Sequence, residues 1–228
     1  ISELIGNLAD HAGTVADLAC GEAIILRELL EQNRMWEQPG ARFVGVESDR
    51  DTAAIARIRL MLHDYWWGRR KWSIHVGNSL AVTHEPTERF DTVIVDPPTT
   101  KTKAWLDLVK KSLAINQASR AFVLLPSSAL VANGPCASLI RERRLEAVVR
   151  LPNRLKTNSR GLALCVITSE STPCEEILLI NLADLKVRNP YPGPVRLLLR
   201  RESHRLTPLS APTGDALSVA DAVTDVCA

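Results

Sequence analysis

No stretch of this 228-residue chain approaches the roughly 18 consecutive apolar residues that a membrane-spanning helix requires. The start lacks a basic segment followed by an apolar run, so nothing there reads as a secretory signal. The five cysteines, at positions 20, 136, 165, 174 and 227, include no C-x-x-C pair, which argues against a zinc centre and against a disulfide framework. Charge of either sign is not in excess: 28 Lys and Arg face 26 Asp and Glu, for a net charge of +2. Such a balance neither demands nor excludes a nucleic-acid partner, because a local basic patch is sufficient. These absences lead to the expectation of a reduced, cytoplasmic chain with no metal and no membrane contact. With Ile1 in place of Met, the sequence reads as an excised or truncated fragment.

What is present is an ordinary globular composition, 46% apolar and 24% charged, in a chain long enough to bury a core in one domain. Basic clusters at Arg69-Arg70-Lys71, Arg141 to Arg144 and Arg200-Arg201 are either solvated faces or contacts for a polyanion. Tyr65-Trp66-Trp67, directly before the first cluster, suits a single strand or phosphate backbone, or else plugs a sheet edge.

Apolar runs and helical spacings alternate along the chain. Residues 2–10 suit an amphipathic helix, and strands are expected at 14–19, 42–47, 72–76, 89–96 and 120–125, with helices between them from Glu22, over 51–63 and over 104–118. In the 51–63 helix, Ala54, Ile55, Ile58 and Met61 or Leu62 share one face, which is expected to turn inward. After a short helix near 137–143, the runs 145–151 and 162–169 follow each other without a helix and suggest a hairpin, and 176–182 adds an edge strand. Strands alternating with helices imply an α/β fold, a mixed and mostly parallel sheet with helices on both faces. Residues 1–184 form the expected domain, and 185–228, with Pro190, Pro192 and Pro194, a Pro-rich C-terminal extension.

In such folds ligands bind at the carboxyl ends of the strands, near the point where strand order reverses. That rule selects four places: Cys20-Gly21, Glu47, Asn78-Ser79 and Asp96-Pro97-Pro98-Thr99. Asp17 to Gly21 is a strand running into a glycine turn, whose N–H groups and following helix N-terminus point at a ligand; close packing alone also accounts for such a glycine. Ala23 stands where a dinucleotide-type turn has its second glycine, which disfavours a pyrophosphate. Glu47 follows Gly21 at an offset close to the roughly 20 residues at which an acid takes ribose hydroxyls, though it could equally cap the next helix. Asn78 meets an adenine edge or serves as a turn residue. At Asp96-Pro97-Pro98 two prolines end a buried strand, fix the backbone and remove two N–H donors. An acid beside an unpaired carbonyl is a rigid two-acceptor clamp for an amino group.

The joint order of DLACG, GVES, GNS, FDTVIVDPPT, RAFVLLPSSAL and LEAVVRLPNRLKTNSRGLALCVITS resembles the N6-adenine DNA methyltransferase family, in particular the catalytic domain of type I restriction-modification M subunits, over about residues 2–184. The resemblance implies a Rossmann-like class I S-adenosylmethionine-dependent methyltransferase with a seven-stranded sheet. It implies S-adenosylmethionine held by Asp17, Ala19, Cys20, Gly21, Glu47, Ser48, Asn78, Ser79 and Asp96, with Asn78 standing where the family usually has Asp. It implies a flipped adenine whose amino group meets Asp96 and Pro97 in a catalytic motif completed by Pro98 and Thr99, with DNA and a specificity subunit or target-recognition segment as partners. The departures are Leu18, Glu22 and Ala23 in the first motif, and Thr99 where an aromatic residue stacks on the base. Trp105 is the nearest substitute in sequence and is otherwise a core residue, while the loop 153–160 is either part of the site wall or a plain loop. A non-catalytic binding module, or a methyltransferase of RNA or protein, is the alternative.

Overall fold

The computed structural model describes residues 4–5, 13–33, 42–67, 72–81, 89–97, 101–115, 120–130, 134–152, 161–169 and 177–182. The chain divides into two compact units: Ile1–Leu124 with Ile167–Thr172, and Leu125–Val166 with Pro173–Ala228.

In the first unit the order along the chain is β1 (Thr14–Asp17), α1 (Ile24–Asn33), β2 (Arg42–Glu47), α2 (Arg50–Trp67), β3 (Trp72–Val76), a 3-10 turn at Ser79–Ala81, β4 (Thr92–Val95), α3 (Thr102–Ile115) and β5 (Arg120–Pro126), whose last two residues belong to the second unit. The strands lie in the order β3-β2-β1-β4-β5, and each neighbouring pair is parallel. Runs such as Thr-Val-Ile-Val in β4 are buried throughout, as a sheet covered on both faces requires. The crossovers from β1 to β3 run outward in one direction and that from β4 to β5 in the other. Right-handed connections therefore put α1 and α2 on one face and α3 on the opposite one. Strand order reverses at β1.

The start of β1 is held by a residue far along the chain. Thr14 N and its hydroxyl both donate to Asp91 Oδ2 at 2.8 Å, and Asp91 N donates to Thr14 O and Oγ1 at 3.0 Å. Asp91 therefore finishes a clamp rather than a strand, and β4 begins at Thr92 instead of residue 89.

The α2 helix is longer than expected and rotated the other way. Ala53, Ala56 and Leu60 are fully buried, while Ile55, Ile58, Met61 and Leu62 are between 45% and 60% exposed. The helix carries two apolar stripes, so hydrophobicity alone does not choose between them. Polar anchors do: Arg57 Nη2 donates to Ile74 O at 2.8 Å, Trp72 Nε1 donates to Asp64 Oδ2 at 2.6 Å, and Arg59 reaches Glu22. The small Ala53 and Ala56 then face the sheet, where α2 packs on β2 and β3.

In the second unit are a 3-10 turn at Ser127–Ala129, α4 (Ala137–Arg141), β6 (Leu145–Arg150), β7 (Leu162–Thr168), whose last two residues belong to the first unit, and β8 (Leu178–Asn181), with β7-β6-β8 as strand order. Leu151 N donates to Leu162 O at 2.8 Å, joining the end of β6 to the start of β7 as the expected hairpin requires. Gly161 enters β7 at φ +64, and its carbonyl accepts from Ser127 N and Oγ at 2.6 and 2.7 Å. Strand β8 pairs parallel with β6. The described strands number eight, against the seven that the family resemblance implied. Leu4 and Ile5 are buried, and the rest of the segment 2–10 and all of 185–228 lie outside the described residues. Among the described residues no helix is long and apolar enough to cross a membrane.

Candidate cofactor site

The turn that leaves β1 is stitched across the ends of its two neighbours. Leu18 N donates to Ile94 O of β4 at 2.9 Å, and Cys20 N to Val46 O of β2 at 3.0 Å. Ser79, buried in the 3-10 turn after β3, donates its hydroxyl to Leu18 O at 2.7 Å. The chain then passes through two left-handed residues, Gly21 at φ 52 and Ala23 at φ 59, before α1 begins. Glycine adopts this conformation freely, whereas alanine pays roughly 1–2 kcal/mol for it. Ala23 is fully buried and its N–H donates to Cys20 O at 2.8 Å, so burial and a closed turn hold it there. The backbone takes the course a second glycine would give.

Glu47, at the end of β2, is turned toward this loop. Its Oε2 accepts from Gly21 N at 3.0 Å, and its Oε1 accepts from Asp49 N at 2.8 Å and from the exposed Ser48 hydroxyl at 3.1 Å. Glu47 is not the cap of α2. That role belongs to Asp49, whose Oδ1 accepts from Thr52 N at 2.7 Å and whose carboxyl is held below the usual range mainly by that bond. The Asp-x-x-Thr spacing just before an apolar helix was the available signal for it.

Asp17 is 1% exposed, and its Oδ1 accepts from Ala19 N at 3.1 Å. Burial pushes its carboxyl up to about 7 against the opposing bond from Ala19, and the charges of Asp96 and Glu47 add to the rise. The acids at the ends of β2 and β4 are thus near enough to act on the one at the end of β1. Cys20 is buried over Gly45, where an added Cβ would lie 2.8 Å from its sulfur. Burial first, then Asp17 and Glu47, push its thiol up to about 12, so Cys20 is a packing group and not a nucleophile.

Asn78 is exposed, and its Oδ1 accepts from Leu80 N at 3.0 Å, the turn role open to it from the sequence. Asp96 is half-buried at the end of β4, followed by buried Pro97; Pro98 and Thr99 lie outside the described residues. Trp105 is buried in α3 as a core residue. Tyr65 is exposed on the last turn of α2, while the Arg69–Lys71 cluster and the loop 153–160 lie outside the described residues. A Cβ placed on Gly21 or Gly77 would meet nothing within 4 Å, so open space lies over both. Among the described residues no group of His, Cys, Asp and Glu is arranged to hold a metal ion. No residue pattern signals the grip of Arg59 on Glu22, which spans 37 positions.

The model of the family described as N-6 DNA Methylase matches residues 1–127, more than half of the chain. No curated protein matches by sequence. Among solved structures, the methyltransferase subunit of a type I restriction-modification system from Streptococcus thermophilus superposes with a TM-score of 0.68 at 20% identity, over 90% of this chain and 52% of that one. A class I S-adenosylmethionine-dependent methyltransferase from Listeria monocytogenes gives 0.66 at 19% identity, over 88% and 67%. The M protein of the type I restriction enzyme EcoKI gives 0.63 at 18% identity, over 88% and 52%. These likenesses establish the class I methyltransferase fold. The chain spans about half the length of the two type I subunits.

Proposed function

The chain belongs to the N-6 DNA methylase family, and from that premise we propose that it is an S-adenosylmethionine-dependent methyltransferase of the N6-adenine type, acting on DNA within a restriction-modification-like system. The observation that carries this reading is the convergence of Asp17, Glu47 and Asp96 from three adjacent strand ends around one turn. A pocket walled by carboxylates favours a cationic ligand, and open space over Gly21 and Gly77 leaves it room. S-adenosylmethionine carries an ammonium and a sulfonium, so this donor set fits it.

The cofactor, when bound, supplies an electrophilic methyl group on a sulfonium. On this reading Asp17 and the Ala19–Gly21 turn hold its methionine part. Glu47, already oriented by Gly21 and Asp49, takes the ribose hydroxyls, with Ser48, Asn78 and Ser79 around the adenine. Asp96 and the Pro97 carbonyl hold the target amine with its lone pair toward the methyl, and Pro98 and Thr99 complete the motif. Asp96 and the Pro97 carbonyl would stabilise the charge that develops on the amine as it takes the methyl group, and the one proton the amine then loses would leave past Asp96 to solvent. The residues position and do little covalent chemistry.

The target adenine is flipped out of the duplex, and a specificity subunit or target-recognition segment supplies the sequence choice. Residues 1–184 form the catalytic domain and 185–228 an extension, and a cytoplasmic location follows from the substrate. Calorimetry with S-adenosylmethionine and methyl incorporation into adenine-containing DNA test the reading. Binding in the wild type, with incorporation abolished but binding kept in Asp96→Ala, is the expected result. Absence of binding at millimolar cofactor overturns it in favour of a non-catalytic module, and methylation of RNA or protein alone changes the substrate.

A further inference from the structure

The residue between the two left-handed positions of the cofactor turn is Glu22, and Arg59 of α2 grips it twice. Nη1 donates to the Glu22 carbonyl at 3.0 Å, and Nη2 donates to Glu22 Oε2 at 2.7 Å. We propose that Arg59 is a positioning residue for the cofactor turn. The inference rests on the reading above for its ligand, though not for its geometry.

A turn with Gly21 at φ 52 and Ala23 at φ 59 has one non-glycine residue in a costly conformation, and it reverts unless its peptides are held. Glu47 holds the Cys20–Gly21 peptide, through Gly21 N. Arg59 holds the Glu22–Ala23 peptide, through the Glu22 carbonyl. The two grips enclose Gly21 and Glu22 and come from consecutive elements, the end of β2 and the body of α2. Arg59 is itself placed by a helix fixed at its start by Asp49 and at its middle by Arg57 on the Ile74 carbonyl. The guanidinium fork matters because it addresses a carbonyl and a carboxylate together, which a single ammonium on a flexible stem does poorly. The second contact also neutralises Glu22.

The side chains are 28% and 46% exposed, so the ion pair is worth no more than an ordinary surface pair. The expected effects are accordingly small and local, about two- to fivefold. Three full-length variants, Arg59→Met, Arg59→Lys and Glu22→Ala, are compared with the wild type by amide hydrogen exchange without cofactor and by steady-state methyl transfer. Arg59→Met is expected to speed exchange at Gly21 and Ala23 and to raise the KM for S-adenosylmethionine by that factor with kcat unchanged. Arg59→Lys should behave nearer to Met than to Arg, and Glu22→Ala, which keeps the carbonyl contact, should give a smaller effect. Unchanged exchange at Gly21 and Ala23, or a fall in kcat at constant KM, overturns the proposal. If Arg59→Met does not fold, Glu22→Ala still decides it by the same exchange measurement. Faster exchange in a protein that binds no S-adenosylmethionine leaves the latch standing and removes the proposed function instead.

Discussion

The amide of Gly21 donates to Oε2 of Glu47 at 3.0 Å, across 26 positions of sequence, so the turn after β1 and the acid after β2 form a single unit before any ligand arrives. Glu47→Ala removes the acceptor of Gly21, of Asp49 and of the Ser48 hydroxyl together. Hydrogen bonds to a charged group contribute about 1.5–3 kcal/mol each, less where water replaces the lost partner. A destabilisation of about 2 kcal/mol in urea melts is expected, together with loss of S-adenosylmethionine binding. Glu47→Gln keeps one acceptor and should recover most of the stability but not the affinity.

Asp17 makes stability depend on pH in the opposite sense to a salt-bridged acid. Its folded carboxyl titrates at about 7 and its unfolded one near 3.8, so the folded state holds a proton that the unfolded state has released over that interval. Its contribution is fully present below the lower value and is lost as pH rises through the upper one. The unfolding free energy is expected to fall by a few kcal/mol between about pH 4 and pH 7, and the slope should flatten in Asp17→Asn. A ligand ammonium beside Asp17 would expel the proton, so binding heats near pH 6 should vary with the ionisation enthalpy of the buffer.

Gly45 leaves room for Cys20. An added Cβ would lie 2.5 Å from Ile74 Cδ1, 2.8 Å from Cys20 Sγ and 3.0 Å from Leu26 Cδ1. Gly45→Ala is expected to cost about 1–3 kcal/mol by overpacking and to displace the turn through Cys20. Combining it with Cys20→Ala should cost less than the sum of the two single changes, which a double-mutant cycle measures.

Two neighbouring positions of α2 should respond very differently to substitution. Leu60 is fully buried, and Leu60→Ala is expected to destabilise by about 2–5 kcal/mol. Ile58 is 57% exposed, and Ile58→Ser should change stability by no more than about 0.5 kcal/mol. Thermal melts of the two variants check the helix rotation directly, since the reverse ranking would mean that the opposite stripe faces the sheet.

The places where special residues interrupt apolar runs were legible in the sequence: Cys20-Gly21, Glu47, Ser79 and Asp96-Pro97 all lie at strand ends of the first unit. Period and punctuation carry that information locally. The residue pattern also marked eight strands, and the count of seven came from the family resemblance. The rotation of α2 was not legible, because its two apolar stripes are nearly equal in sequence terms and the deciding contacts, to Glu22, Ile74 and Trp72, lie in other elements. The cap of α2 was legible in the local Asp49-x-x-Thr52 spacing, whereas the bond that turns Glu47 toward Gly21 spans 26 positions and was not. The positive φ of Ala23 was hidden as well, since alanine gives no hint of it.

The clamp of Thr14 by Asp91 joins residues 77 positions apart, and it closes on the central strand of the first unit. During synthesis at about 5–20 residues per second, β1 emerges roughly 4–15 s before the residue that fastens it. Through that interval β1 can pair with β2 but has no β4 on its other edge, so the earliest-made strand is among the last to be completed.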